Sequence, residues 1–423
     1  MAHQLILLAS AFSYRVTAFE EAAAKLGIPV TRGEDVPPPM VRRAQAALPL
    51  DYRDVPRAVR AIEKYARANP VGAVIGLDDS GTLIAAEASA RLGLPYNPLE
   101  AAQAAGNKYL MRQRFAAAAV PSPAFHHYTL HDDPADIAAR TRYPAVIKPI
   151  TLSGSRGVMR ADSPAELLAR LARLRPILLA HRCNEFLVED FIPGFEVALE
   201  GLLDHGQLHV LALFDKPDPL DGPFFEETLY VTPSRLPAAT QQAITDVAAR
   251  AAAALGLRHG PVHAELRVSP AGPVMVELAA RSIGGNCSKT LRFGTDASLE
   301  ELILRQAFGM KFDPAREPAP GGVMMIPIPE GGILTGVHGV AAAREVNLIE
   351  EIEIAIPLYH KLVPLPEGDS YLGFIFARGT DPATRRGGVP PPDRGSPAAV
   401  EAALREAHSK LHFEISPELP VLV

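Results

Sequence analysis

Cysteine is scarce in this 423-residue chain, which holds only Cys183 and Cys287. That excludes a disulfide framework and points to a reducing compartment, the cytoplasm. An excess of basic charge is also missing: 42 Lys and Arg stand against 48 Asp and Glu, for a formal charge of −6. No general attraction to nucleic acid or to an anionic membrane follows from such a balance. Hydrophobic runs long enough to span a bilayer do not occur. The apolar run at residues 5–9 is too short for a secretory h-region, has no basic segment before it, and is expected to be a first strand. Neither G-x-x-x-x-G-K-[ST] nor a G-x-G-x-x-G after that strand is found, and no internal repeat is visible. What is present is 48% hydrophobic residues with 32 Gly and 40 Pro, the composition of a loop-rich globular protein. The length suggests roughly two to four structural units.

Residues 4–100 alternate buried-strand runs with helical patterns. Residues 5–9 lead into an Ala-rich helix over 16–26, and 73–77 lead through Asp78-Asp79-Ser80-Gly81 into a helix over 82–92. This is the βαβ pattern of a parallel sheet. One helix is expected over 100–118, then a strand over 144–149, a helix over 163–174 and a strand over 186–192 that turns at Pro193-Gly194 into another over 196–203. A helix over 238–255 precedes further antiparallel strands, short strand-like runs fill 321–376, residues 380–397 read as a mobile loop, and a helix over 398–409 follows.

The most telling feature is a pair of alternating runs, 261–268 and 273–278, joined by Ser269-Pro270-Ala271-Gly272 and read as a β-hairpin. With the turn centred on Ala271, Glu265 and Glu277 stand directly opposite on one face. Facing like charges destabilise a ladder. Either both are solvated, or a hard cation such as Mg²⁺ lies between them. Other polar residues carry similar double readings. Lys148 ends a buried-looking strand just before the loop Ser153-Gly154-Ser155-Arg156-Gly157, whose glycines let backbone N–H groups approach an anion, although a plain turn is the simpler reading. Lys108 lies on a helix and Lys216 on a loop, where solvation is the default. Glu189 and Asp190, with Phe191 and Ile192, form a strand end whose backbone can pair with adenine, and Glu196 can accept from ribose hydroxyls; either acid alone can also be a solvating group. Arg281, four residues past Glu277, can aim its fork at phosphate oxygens or be a surface arginine. Gly284 and Gly285 suit a pocket floor or a simple turn. His263 is more often structural than a base, and Cys287 reads as a packing thiol.

In order, Lys108, then Val146-Ile147-Lys148-Pro149 with the loop to Val158, then Val188-Glu189-Asp190-Phe191-Ile192-Pro193-Gly194-Phe195-Glu196, then Glu265, Glu277 and Arg281 resemble the ATP-grasp superfamily over roughly residues 4–310. The resemblance implies that Lys108 and Lys148 hold ATP phosphates, residues 153–157 form a flap, the run from Glu189 binds adenine, and Glu265 with Glu277 holds Mg²⁺, Mn²⁺ being an alternative. Many members carry an asparagine two residues after the second glutamate. Here Ala279 stands there, and the Glu277-x-Ala279-x-Arg281 pattern looks like the L-amino acid ligase branch, as does the segment 223–234. In that branch the position of Tyr230 is commonly histidine. Glu227, in the same segment, is expected to pair with a substrate α-ammonium, since a buried ammonium needs a paired anion.

The implied fold is α/β and α+β: a parallel βαβ domain (1–105), an ATP-grasp lid (106–190), an ATP-grasp body with the Mg-ATP site (191–315) and a β-rich C-terminal subdomain (316–423). The implied activity is an ATP- and Mg²⁺-dependent carboxylate–amine ligase, forming an amide through an acyl phosphate with release of ADP and phosphate. Lys148 and Arg281 would act on the reacting groups, and Glu227, Tyr230, Arg281, Gly284 and Gly285 would contact small-molecule carboxylate and amine substrates. A homodimer is compatible with this reading, and neither a nucleic-acid nor a membrane partner is expected. The rival readings are a carboxylase or carbamoyl-forming enzyme using bicarbonate, and a non-catalytic nucleotide-binding regulatory protein.

Overall fold

The computed structural model describes residues 3–10, 13, 15–35, 47–294, 296–380 and 395–417. Among the described residues the strands form four sheets. The first is parallel, in the order Ala47–Leu50, Val30–Asp35, Gln4–Ala9, Val71–Gly76. Gln4–Ala9 is central because it is apolar on both faces. Leu5, Leu7 and Ala9 pack with Phe19 and Ala22 of the helix Val16–Leu26, while Ile6 and Leu8 pack with Val59 and Ile62 of the helix Val55–Ala66. A parallel strand covered by helices on both sides needs such a continuous apolar run.

The expected helix over 100–118 is two helices, Leu99–Ala105 and Lys108–Ala117. Asn107 breaks it: its side chain accepts from the backbone N–H of Tyr109 and Leu110 and caps a fresh helix. Lys108 thereby becomes the first residue of a helix pointing into the molecule. The second sheet is antiparallel, ordered Phe125–Thr129, Glu185–Asp190, Ala145–Pro149, Met159–Ala161, and is covered by the helices Pro134–Arg140 and Pro164–Ala180. The strand expected over 186–192 ends at Asp190 and lies inside this sheet, not at an edge.

The large sheet has eight antiparallel strands, in the order Gly272–Ala279, Gly260–Ser269, Phe195–Asp204, Gln207–Asp215, Leu229–Thr232, Gly321–Ile326, Gly373–Arg378, Ile349–Ile354. It therefore runs unbroken across residue 316, where a subdomain boundary is expected from the sequence. The helix Ala238–Leu255 packs on it through Ile244, Val247, Ala248, Ala251, Ala252 and Leu255, a spacing that follows the helical repeat. A three-stranded sheet, Lys361–Leu362, Gly332–His338, His412–Ser416, completes the fold beside the helix Pro397–Ser409. Most of the loop expected over 380–397 lies outside the described residues. Among the described residues, no helix is long and apolar enough to cross a membrane.

Candidate active site

The glutamate hairpin forms, and Glu265 pairs with Glu277. The route to that register differs from the expected one. The turn is tighter, with Ser269 opposite Gly272, and a bulge at Val276 restores the offset, since Leu266 pairs with Met275 while Glu265 pairs with Glu277. The bulge frees the Val276 carbonyl to accept from Arg112 Nη2 at 2.6 Å. An extra residue in the strand thus has a buried partner.

Glu265 and Glu277 open onto a cavity of about 530 Å³ between the three larger sheets, a size typical of small-molecule sites. Of the residues singled out in the sequence, Lys108, Lys148, Ser153, Gly154, Ser155, Glu189, Asp190, Phe191, Ile192, Glu196, Glu227, Tyr230, Glu265, Glu277, Arg281, Gly284 and Gly285 all line it. Gly157 does not. Its N–H donates to Pro366 O at 2.8 Å and a side chain there would strike the Pro149 ring, so it shapes the loop rather than facing the cavity.

Neither lysine of the lid side is solvated. Lys148 Nζ lies 2.8 Å from Glu189 Oε2, and Lys108 Nζ donates to Leu152 O at 2.8 Å and Glu277 Oε1 at 3.0 Å. Glu189 is not a solvating strand end either: it is buried and grips Arg112 through Nε at 2.7 Å and Nη2 at 3.2 Å. Burial alone would raise its carboxyl, but Arg112 and Lys148 outweigh that and hold it below the usual range. The N–H groups of Asp190 and Phe191 already donate to Ala124 O and Pro144 O. Asp190 pairs with Arg142, and the Phe191 ring lies under the guanidinium groups of Arg160 and Arg267, at 4.1 and 5.0 Å.

On the body side, Lys216 is buried among acids, 2.9 Å from Glu196, 2.5 Å from Glu227 and 3.7 Å from Glu265. Among the described residues, Glu196, Glu227 and Glu265 bring carboxylate oxygens within 4.8 Å of one another. Burial opposes the charge on Lys216, yet Glu196, Glu227 and Glu265 hold its ammonium well above the usual range. Burial likewise raises Glu196, against the pull of Lys216, whereas Lys216 and His263 overcome burial at Glu265 and lower it. Glu227 also accepts from the Tyr230 hydroxyl at 2.6 Å. The ammonium facing Glu227 here is therefore the protein's own. His263 bridges Glu265, 3.5 Å from Nε2, and the buried Glu200, 3.5 Å from Nδ1; Glu200 in turn accepts from Ile283 N–H at 3.0 Å.

Arg281 Nε donates to Asp79 Oδ1 at 2.9 Å, which spans 202 residues of sequence and ties the end of the hairpin strand to the helix Asp79–Leu92 of the first domain. Burial would raise Asp79, but Arg281 outweighs it and lowers the carboxyl. Gly285 has φ +59°, and a Cβ there would run into Met325 Sδ, so that turn requires glycine. Cys287 is buried, and burial pushes its thiol up, as a packing residue requires. Arg112, Asp79, Glu200 and Arg267 carry no assignment in the sequence reading. Only Arg112 had a local signal, four residues after Lys108 and so on the same helix face.

Residues 141–290 match the model of the ATP-grasp domain, and residues 19–96 match that of the ATP-grasp N-terminal domain. The chain is 32% identical over 223 residues to carnosine synthase 1 of Gallus gallus, covering 49% of this chain and 23% of that protein. It is 27% identical over 241 residues to alanine–anticapsin ligase of Bacillus subtilis (strain 168), covering 52% of this chain and 50% of that one. These matches span half or less of the curated relatives' own length. The crystal structure of L-amino acid ligase from Bacillus licheniformis superposes with a TM-score of 0.78 over 98% of this chain and 100% of that chain, at 24% identity. The two matched models together cover more than half of the 423 residues, in the order the fold predicts, and the chain belongs to the ATP-grasp superfamily.

Proposed function

We propose that this protein is an ATP- and Mg²⁺-dependent ligase that joins the carboxylate of a free amino acid to an amine through an acyl phosphate, releasing ADP and phosphate. The observation that carries the reading is the convergence of Glu265, Glu277, Arg281, Lys108 and Lys148 on one cavity. The donor set suits a hard cation: Glu265 and Glu277 offer carboxylate oxygens, and the ammonium groups of Lys216 and Lys108 already stand against them. Mg²⁺ bound there would supply charge neutralisation to phosphate oxygens, with water or substrate replacing the ligand that Ala279 lacks. Mn²⁺ would serve the same donors.

In this reading Lys148, oriented by Glu189, and Lys108, oriented by Leu152 O, hold phosphate oxygens. Arg281, steered by Asp79, presents its fork where negative charge develops as the carboxylate oxygen attacks phosphorus. The chain's part is positioning and electrostatics, as phosphoryl transfer demands. No side chain is assigned as general base; the attacking amine loses its proton late. Similarity to proteins named as an alanine–anticapsin ligase and a carnosine synthase supports an amino acid substrate over bicarbonate. The test is ADP release with ATP and Mg²⁺, measured with pools of amino acids and with bicarbonate. Stimulation by amino acids is expected. Stimulation by bicarbonate alone contradicts the proposal.

A further inference from the structure

At the far end of the strand Phe195–Asp204 from Glu196, eight residues away or about 26 Å along a strand, a second group of metal-binding side chains converges. Asp204, His205 and His259 bring one ligand atom each within 4.8 Å of one another. The His205 and His259 rings are 4.9 Å apart, edge to face, and His205 Nδ1 lies 2.9 Å from Asp204 Oδ1. We propose that Asp204, His205 and His259 bind a divalent transition-metal ion of the zinc class, at a site separate from the carboxylate cavity.

The group is built, not incidental. His205 and Gly206 form a two-residue hairpin turn with φ +50° and +89°, which fixes His205 beside Asp204. His259 comes from a different segment, and its backbone is clamped by Asn97. The Asn97 side chain accepts from the N–H groups of Arg258 and His259 at 2.7 and 2.9 Å and donates to His259 O at 2.8 Å. Gln306 Nε2 reaches Asp204 Oδ1 at 3.5 Å. Such outer partners orient metal ligands.

The His259 ring also carries an unsatisfied atom: Nδ1 is buried without a hydrogen-bond partner. A buried unpaired nitrogen is costly, and a metal bond removes the cost. Two imidazoles with one carboxylate favour Zn²⁺, Ni²⁺ or Cu²⁺ over Mg²⁺ or Ca²⁺. Donors on one zinc ion lie roughly 3.3 Å apart, given bonds of about 2.0–2.1 Å. The His205 side chain is 80% exposed, so it has room to rotate towards that spacing. A water completes the coordination, and the ion ties the hairpin turn to the segment entering the strand Gly260–Ser269.

Co²⁺ serves as the spectroscopic probe. The full chain, with excess Mg²⁺ and ADP present to occupy the carboxylate cavity, is titrated with Co²⁺, and visible absorption and bound metal are measured. One equivalent with a nitrogen-ligand spectrum is expected for the wild type, displaced by Zn²⁺, and none for the His205→Ala/His259→Ala double variant. Equal uptake by the two proteins, or no uptake by the wild type, overturns the site. Paramagnetic broadening of the His205 and His259 ring resonances in the unmodified protein gives a reading that needs no variant; broadening of other histidines alone also overturns it.

Discussion

Glu277 faces Glu265 across the hairpin and Lys108 from the helix Lys108–Ala117, so replacing it separates a metal-binding role from a structural one. Glu277→Gln keeps the shape and an oxygen acceptor for Lys108. It is expected to remain folded, losing about 1 kcal/mol at most, while Mg²⁺-dependent ADP release falls about 100-fold or more, the scale of removing one transition-state electrostatic contact. Wild-type turnover by this variant would end the metal assignment. Glu189 gives the opposite case. It is fully enclosed by Arg112 and Lys148, and its carboxyl is held below its ordinary value of 4.5. A depressed carboxyl contributes stability that is present above its unfolded value and lost as pH falls through the folded one. Glu189→Gln leaves two buried cations unpaired, a loss of about 3–5 kcal/mol at pH 7. The gap from wild type should shrink below about pH 4 as the native carboxylate also takes up its proton; denaturant melts at several pH values measure it. A gap constant with pH contradicts the pairing.

At the scale of elements, the loop 153–157, proposed as a flap, and the helix Pro164–Ala180 are clasped to the segment 364–371 of the C-terminal region. Gly157 N–H donates to Pro366 O, Arg156 pairs with Asp369, and Arg173 grips Glu367 at 2.6 and 2.8 Å. Glu367 and Asp369 are each 40% exposed, and pairs of that kind are worth about 0–1 kcal/mol. So weak a clasp would let the loop open, as the proposed flap role requires. Hydrogen exchange at 153–157 is expected to slow when a non-hydrolysable ATP analogue is added; equal protection with and without it contradicts a flap. The sequence could not reveal this clasp because its two sides lie some two hundred residues apart with no pattern linking them. The hairpin was legible for the opposite reason, since its register is set within twenty residues. Even so, the bulge at Val276 was hidden, because what rewards it is Arg112 on a distant helix. The split at Asn107 was legible in principle, as a capping residue after Gly106, and was masked by the Ala-rich pattern on either side. Lys216 read as a solvated loop residue because its partners come from three other places in the chain.

At the scale of the whole molecule, one cavity gathers groups from the parallel domain, the second sheet, the hairpin and the C-terminal strands. Asp79 steers Arg281 across the first of these boundaries, and the eight-stranded sheet holds the glutamates and the tail in one rigid frame. Such an arrangement suits the proposed reaction, in which two substrates and ATP must be aligned together. In the proposed reaction a carboxylate is activated as an acyl phosphate, and oxygen tracing follows the bond that this step makes. Turnover with ATP, Mg²⁺, an amine acceptor and an amino acid labelled with ¹⁸O in its carboxylate should place one labelled oxygen in the inorganic phosphate for each amide formed. Amide formed with unlabelled phosphate, or with AMP as the nucleotide product, would contradict the account.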